Sequence, residues 1–261
     1  TWQNGRQLQK MQKAGVTAEF VYNADGLRVQ KTVNGVVTGY TLHGKNVVHM
    51  TKGNDELHFF YDAQNRPAVV VYNGTAYAYV KSLQGDVIAI LDENGNTVVS
   101  YGYDAWGAPL WCTGELAETL GKVQPFRYRG YVFDEETGLY YLRSRYYTPK
   151  WGRFVNADSY IGKMTMLSHN LFLYCHNSPI FRIDASGCED TTPAPTPSAL
   201  PQETPLPTPR PSRPENWRDI FTKLEIQNAI SNAVRKVTEA MNDVAMYREA
   251  QQMIALGHGR V

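Results

Sequence analysis

Three cysteines in 261 residues, Cys112, Cys175 and Cys188, are too few and too widely spaced for a disulfide scaffold. Neither a CxxC pair nor a Cys/His cluster with zinc-ligand spacing occurs, so no metal site and no cofactor is expected. Charge of one sign is missing too. With 26 Lys and Arg against 25 Asp and Glu, the formal net charge is +1, and no basic stripe marks a nucleic-acid partner. No apolar run approaches the roughly 18 to 20 residues needed to cross a bilayer, so no transmembrane segment is expected. The N-terminal Thr-Trp-Gln-Asn-Gly shows neither an initiator Met nor a signal peptide. The expectation is a piece of a longer precursor whose targeting segment lies upstream.

What the chain does have is tyrosine, 17 against 9 Phe, and 21 glycines. Tyrosine suits a half-buried pleated surface and glycine suits tight turns, so the composition leans towards all-β. Three segments repeat a pattern of Tyr, Asn or Asp, a short turn and a β-prone run, starting at Tyr22, Tyr61 and Tyr103. Their spacing fits pairs of units of about 20 residues. Asn-Gly turns between β-branched or aromatic residues, Asn34-Gly35 and Asn73-Gly74, and the turn from Asp92 to Asn96 fill the gaps. The reading is a sheet of consecutive hairpins in which each Tyr ring packs over a neighbouring strand and each Asn or Asp starts a turn. Such units bury a face only by stacking on neighbours.

Four regions follow. Residues 1–111 read as β repeats, and 112–188 as a dense closing module that opens with a loop or short helix over 112–124. Residues 189–215 form a Pro/Thr-rich extended linker. In the tail, 216–261, Ile220, Leu224, Ile230, Val234, Val237, Met241 and Val244 make one apolar helical stripe, with Asn216 as N-cap and Gly257 as stop. About 40 residues cannot build a core alone, so this helix must pair with something or stay partly unfolded. No catalytic motif is found in 189–261.

In the closing module the spacing predicts a hairpin around Asp134–Gly138, one strand over Leu139–Tyr147, and a second turn over Thr148–Gly152. Alternation along that strand would place Tyr141, Arg143, Arg145 and Tyr147 on one face. Two arginines on an enclosed face need acidic or carbonyl partners, and Asp158 and Asp184 are the candidates. Both acids precede a glycine, where Asp is commonly a turn former. Arg143 and Arg145 also fit as strand-edge or lining charges, and Arg153 as a tie to a neighbouring turn. His169 and His176 flank an apparent strand over Asn170–Tyr174. A thiol pair of His176 with Cys175 or Cys188 is disfavoured, because adjacent strand residues point to opposite faces.

The ordered elements Phe126-Arg-Tyr-x-Gly130, Asp134-x-x-Thr-Gly-Leu-Tyr-Tyr141, Arg143-x-Arg-Tyr-Tyr147, Gly152-Arg-Phe154, Ala157-Asp158, Asn170-Leu-Phe-x-Tyr174, Asn177-x-Pro179 and Asp184-x-x-Gly187 resemble the RHS repeat-associated core domain of RHS and YD-repeat proteins. The resemblance implies a curved β shell built of YD repeats and closed by the core module. It also implies an enclosed variable C-terminal polypeptide, often a toxin, that several members release by cutting themselves after the Asp-x-x-Gly element. Carried onto this sequence, Asp158 and Asp184 would be the aspartic-protease-like carboxylates and Arg145 their arginine. The cut would fall between Cys188 and Glu189. Gly162 and Gly187 would end the two acidic turns, with Arg143 and Arg153 in structural roles. The sequence departs from the family where the Tc-toxin branch has a further Asp and this chain has Tyr146. Proline is missing from Asp158-Ser-Tyr-Ile-Gly162 and Asp184-Ala-Ser-Gly187, Cys188 stands where Leu is usual, and the spacer between the two elements is a few residues longer.

The implied partners are the chain's own tail, upstream repeats of the precursor, and an immunity or target-cell protein; no external substrate is expected. The alternative is a non-catalytic surface or adhesion scaffold whose tail stays attached. A fragment of this length is expected to form an open, curved sheet.

Overall fold

The computed structural model describes residues 1–4, 6–158, 170–188 and 191. The tail helix and all of the expected linker except Thr191, together with Gly162, Glu189 and His169, lie outside these residues.

Two short strands, β1 (Trp2–Gln3) and β2 (Gln7–Leu8), pair with each other at the start. Next come β3 (Lys10–Lys13), β4 (Val16–Tyr22), β5 (Arg28–Val33), β6 (Val36–His43), β7 (Asn46–Lys52), β8 (Asp55–Tyr61), β9 (Pro67–Tyr72), β10 (Thr75–Lys81), β11 (Val87–Leu91), β12 (Thr97–Tyr103) and β13 (Pro109–Thr113). They form one 11-stranded antiparallel sheet in strict chain order, so every connection is local. After the short helix α1 (Leu120–Val123), the strands β14 (Val132–Asp134), β15 (Leu139–Tyr141), β16 (Tyr146–Thr148) and β17 (Arg153–Phe154) make a separate four-stranded meander.

Two turn designs build the sheet. In the two-residue turns, Asn34 and Gly35, and likewise Asn73 and Gly74, take positive φ, as the right-handed twist of a hairpin demands. The Asn side chains also accept from Thr17 and Glu56 amides, at 2.8 Å each. The second design is a five-residue loop whose first side chain accepts from the amide of its fifth residue. Asn23, Asp62, Asp92 and Asp104 do so through Oδ1 and Ser82 through its hydroxyl. The fourth residue of each loop, Gly26, Asn65, Gly95, Gly107 and Gly85, has positive φ. The tyrosine before the loop then serves the sheet: Tyr61 and Tyr103 donate their hydroxyls to the carbonyls of Val47 and Val87 on the preceding strand, at 2.7 and 2.9 Å, and Tyr22 donates to Leu8 at 2.8 Å.

One face of this sheet carries the main core. Tyr40, Met50, Leu57, Phe59, Val70, Tyr79, Ile90, Val99 and Tyr101 surround Phe126 of the closing module. At the other end of the module Tyr141 and Tyr146 pack with Ala18, Phe20 and Val33 of β4 and β5. Strands from β4 to β12 therefore all meet one insert of about the module's size, which requires the sheet to curve around it. The expected open, curved sheet is the arrangement seen.

The hairpin β14–β15 forms around Asp134–Gly138 as its sequence suggests, but Leu139–Tyr147 is not one strand. It is broken by the tight turn Leu142–Arg145, in which Arg143 has a φ of 64° and the Leu142 amide donates to the Arg145 carbonyl at 2.9 Å. Tyr140 pairs with Tyr147 and Tyr141 with Tyr146, so Tyr141, Arg143, Arg145 and Tyr147 share no strand face. The apparent strand over Asn170–Tyr174 is likewise a turn, with a single bridge from Leu173 to Arg153. Cys175, His176 and Asn177 after it all take positive φ. A period-two pattern cannot show where a chain of tyrosines and arginines folds back on itself.

The deepest polar contact ties the two sheets. Arg28 of β5 donates from both terminal nitrogens to Asp134 at 2.6 and 3.0 Å, and Lys31 adds a third contact at 3.1 Å. The Asp134 side chain is 0% exposed and that of Arg28 1%. Arg28 lies over the Tyr141 ring at 4.5 Å and beside Tyr40 at 5.2 Å. Glu136 extends the cluster to Lys31 and Lys52 at 2.7 and 2.8 Å. Burial opposes ionisation of both acids. The Arg28 and Lys31 charges nonetheless hold the Asp134 carboxyl below its usual range, and Lys31 with Lys52 takes Glu136 down to about 2. Replacing Asp134 with Ala leaves the buried Arg28 uncompensated and is expected to cost about 3–5 kcal/mol in urea unfolding, whereas Glu93→Ala on an exposed turn should stay within about 0.5 kcal/mol. Because both folded-state values are lowered, their stabilisation is full above the ordinary carboxylate range and is lost as pH falls from 4.5 towards about 2. A flat acid limb in a stability-against-pH series would contradict this.

Candidate functional site

The Leu142–Arg145 turn projects Arg145 away from the sheet and into the segments that follow β17. Its guanidinium gathers them. One terminal nitrogen contacts Oδ2 of Asp158 at 2.9 Å and Oδ2 of Asp184 at 3.2 Å. The other donates to the Leu171 carbonyl at 3.2 Å, and Nε donates to the Gly187 carbonyl. The Phe154 ring lies under the guanidinium at 3.5 Å. Three residues that the sequence pattern singles out, Arg145, Asp158 and Asp184, thus meet at one nitrogen atom.

The two carboxylates differ in setting. Asp158 retains 13% side-chain exposure, and its amide donates to Leu171 at 2.9 Å. Asp184 is 2% exposed. Its Oδ1 accepts from the amides of Ser186, Gly187 and Cys188 at 3.3, 2.7 and 3.1 Å, and its own amide donates to the Tyr131 hydroxyl at 3.0 Å. The turn-forming role open to an Asp before a glycine is therefore present at Asp184, on one oxygen only. Burial pushes the Asp184 carboxyl upward, and Arg145 and the three amides only partly oppose it. A raised carboxyl holds a proton at pH values where an ordinary aspartate has lost it.

Gly187 sits where a side chain has no room. Its φ is 72°, and a Cβ there would lie 2.6 Å from the Leu142 carbonyl and 2.7 Å from the Ser144 hydroxyl. Ser144 donates to the Ser186 carbonyl at 2.7 Å, and the Cys188 thiol lies 3.1 Å from the Ser144 hydroxyl. Ile183 and Thr191 pair through both backbone amides, at 2.9 and 2.8 Å. A cavity of about 190 Å³, lined in part by Tyr22, Asp25, Arg143, Ser144 and Cys188, opens beside the thiol.

Arg143 is half-buried and reaches the Ala185 carbonyl at 3.4 Å; it does not join the carboxylates. Arg153 is exposed, and its backbone, bridged to Leu173, makes the tie to the neighbouring turn. Ser144, Leu171, Phe154 and Tyr131 complete the site. Phe154 and Leu171 are named positions of family motifs and Ser144 is the open position of one, whereas nothing in the sequence marks Tyr131. Gly187→Ala combines a positive φ with a backbone clash, so it should destabilise the chain by more than about 1 kcal/mol in urea unfolding. A loss near zero would mean that the Asp184–Cys188 turn is not held against Leu142–Arg145.

The family profile described as Teneurin YD-shell matches residues 47–180, more than half of the chain. Among curated proteins, the tRNA3(Ser)-specific nuclease WapA of Bacillus spizizenii is 38% identical over 195 residues, which is 72% of this chain and 8% of that protein. Toxin protein Tse5 of Pseudomonas aeruginosa is 40% identical over 66 residues, 25% of this chain and 5% of its own length. Among solved structures, the crystal structure of TcdB2-TccC3-Cdc42 superposes with a TM-score of 0.58 at 20% identity, covering 72% of this chain and 10% of that one. The chain thus spans about a tenth or less of these long proteins. In repeat architecture, in the curved meander and in the profile it matches, the chain belongs to the Teneurin YD-shell family of RHS/YD-repeat proteins.

Proposed function

We propose that this chain is the closing end of a toxin-delivery shell that cuts its own backbone between Cys188 and Glu189 and so frees the polypeptide after it. The observation that carries this reading is the meeting of Asp158 and Asp184 on one Arg145 nitrogen, with the same guanidinium bound to the carbonyl of Gly187, the residue before Cys188. The relatives named as a tRNA nuclease and a toxin protein support cargo of that kind for the whole protein. Secretion or surface display of the precursor, with its own tail, upstream repeats and an immunity or target-cell protein as partners, belongs to the same proposal. So does the division at residues 111, 188 and 215.

In chemical terms, Asp184 with its raised carboxyl is the proton holder, and Asp158, the more open acid, is the base that takes a proton from water. The water oxygen bonds to the Cys188 carbonyl carbon as Asp158 takes its proton and the Asp184 proton passes to the carbonyl oxygen. The resulting diol then returns a proton to Asp184, and the C–N bond to Glu189 breaks as its nitrogen takes the proton held by Asp158. Arg145 keeps the two carboxylates together and fixes the preceding Gly187 carbonyl. The amides bound to Asp184 Oδ1 hold the segment still, which restricts it to a reactive geometry.

A second reading, a non-catalytic scaffold with a permanently attached tail, draws on the same contacts, because Asp184 also closes a turn. Intact mass of the purified chain separates the two. Wild type is expected to appear as fragments 1–188 and 189–261, with Asp158→Asn and Asp184→Asn remaining whole at 29.5 kDa. Since cleavage needs Asp184 protonated, its rate should fall as pH rises through the raised Asp184 value. Wild type that stays whole from pH 4 to 8 while folded would replace the cleavage reading with the scaffold.

A further inference from the structure

On the sheet face opposite the main core, three side chains from one hairpin converge. The register of β7 and β8 sets His49 opposite His58, and Glu56 lies two residues before His58 on the same face. Met50, Leu57 and Phe59, which alternate with them, point into the core. The two imidazoles stack with centroids 4.5 Å apart and an interplanar angle of 26°. Both Nε2 atoms approach the same Glu56 oxygen, at 3.1 and 3.2 Å, and all three atoms lie within 4.8 Å of one another.

The geometry points to a divalent transition-metal site formed by His49, Glu56 and His58, with zinc as its best-matched ion. Zinc holds imidazole nitrogen and carboxylate oxygen at about 2.0–2.2 Å, so two ligand atoms on a tetrahedron stand about 3.3 Å apart. The two nitrogen-to-oxygen separations already match that edge, and the two nitrogens lie within 4.8 Å of each other. Two imidazoles and one carboxylate suit zinc, nickel or copper over calcium or magnesium, which prefer an all-oxygen set. Glu56 is 58% exposed along its side chain, so the fourth position opens to solvent and takes water or a group from another molecule. Each ring presents its Nε2 lone pair to the metal with its proton on Nδ1. The ligands stand on paired strands, which holds two of them in register before the ion arrives.

Sequence spacing gives no hint of this site. His49 and His58 are separated by a whole hairpin turn, and no helical or knuckle-type motif contains them. The full chain titrated with zinc chloride in a calorimeter should bind one ion, with saturation in the micromolar range. His49→Ala, His58→Ala and Glu56→Gln should each weaken binding about tenfold or more while leaving the circular dichroism unchanged, since all three side chains are solvent-facing. A variant with Cys112, Cys175 and Cys188 changed to Ser should bind as wild type does. Cobalt should give visible absorption bands of a nitrogen–oxygen site in wild type and lose them in the double His49→Ala/His58→Ala variant. No saturable binding, or full binding retained by that double variant, overturns the assignment.

Discussion

A meander in strict chain order fixes each strand against its neighbours and nothing more; its curl has to be set from outside. Here the outside constraint is the Asp134 carboxylate. It receives Arg28 and Lys31 from β5, more than a hundred residues earlier in the chain, with no exposure to solvent. Phe126, eight residues before Asp134, sits among Phe59, Tyr61 and Tyr79 at ring distances of 5.0–6.3 Å. Those two anchors hold opposite parts of one sheet at a fixed separation on one rigid insert. An apolar pair could fill the Arg28–Asp134 space at least as stably, but it would accept several registers, whereas a bidentate guanidinium–carboxylate contact accepts one.

That constraint reaches the candidate site through the β15–β16 hairpin. Tyr141 accepts from the Arg28 amide at 2.9 Å, and Tyr146 shares a hydroxyl contact with Tyr22 at 2.8 Å. With both flanks of the hairpin seated on the sheet, the Leu142–Arg145 turn between them has one direction to take, and Arg145 leaves towards Asp158 and Asp184. The departure at Tyr146 follows from the same geometry. Its side chain points to β4 and Arg28, among Trp2, Phe20 and Tyr141, while its amide donates to Asn156. An acid at this position would sit beside Asp134 and disturb the clasp. Among the described residues, the two carboxylates paired with Arg145 are those of the Ala-Asp and Asp-x-x-Gly elements.

The turns were the most legible part of the fold. Asn34-Gly35 and Asn73-Gly74 state their conformation in two letters, and the Asp-started loops repeat often enough to give the strand boundaries. Tyr61 and Tyr103, each before an Asp-started loop, announced their contact with the preceding strand. The break at Arg143 was not legible: an alternating Tyr/Arg run looks like a strand, and only the pairing of Tyr140 with Tyr147 shows where it reverses. The acid–arginine cluster was legible by motif, not by physics, since nothing local says that Asp158 and Asp184 approach the same nitrogen. Tyr131 and the His49–Glu56–His58 cluster were hidden for another reason. Their partners are set by the register between strands and by segment packing, which sequence spacing does not contain.

The turn-forming and chemical roles of Asp184 are divided between its two oxygens. Oδ1 is occupied by three amides, and this alone would satisfy a structural aspartate. An asparagine carbonyl could accept the same bonds without the cost of burying a charge. Oδ2 makes no amide contact in that turn; it faces Arg145, which also holds Asp158. Burial raises the carboxyl in spite of that arginine, so the site holds a group that is costly to ionise next to one that is partly solvated. Two acids whose surroundings differ in this way can divide the work of proton donor and proton acceptor. Under the proposed cleavage, the residue that tethers the Gly187–Cys188 segment through Oδ1 is also the one whose second oxygen, paired with Arg145, takes part in breaking the bond after Cys188.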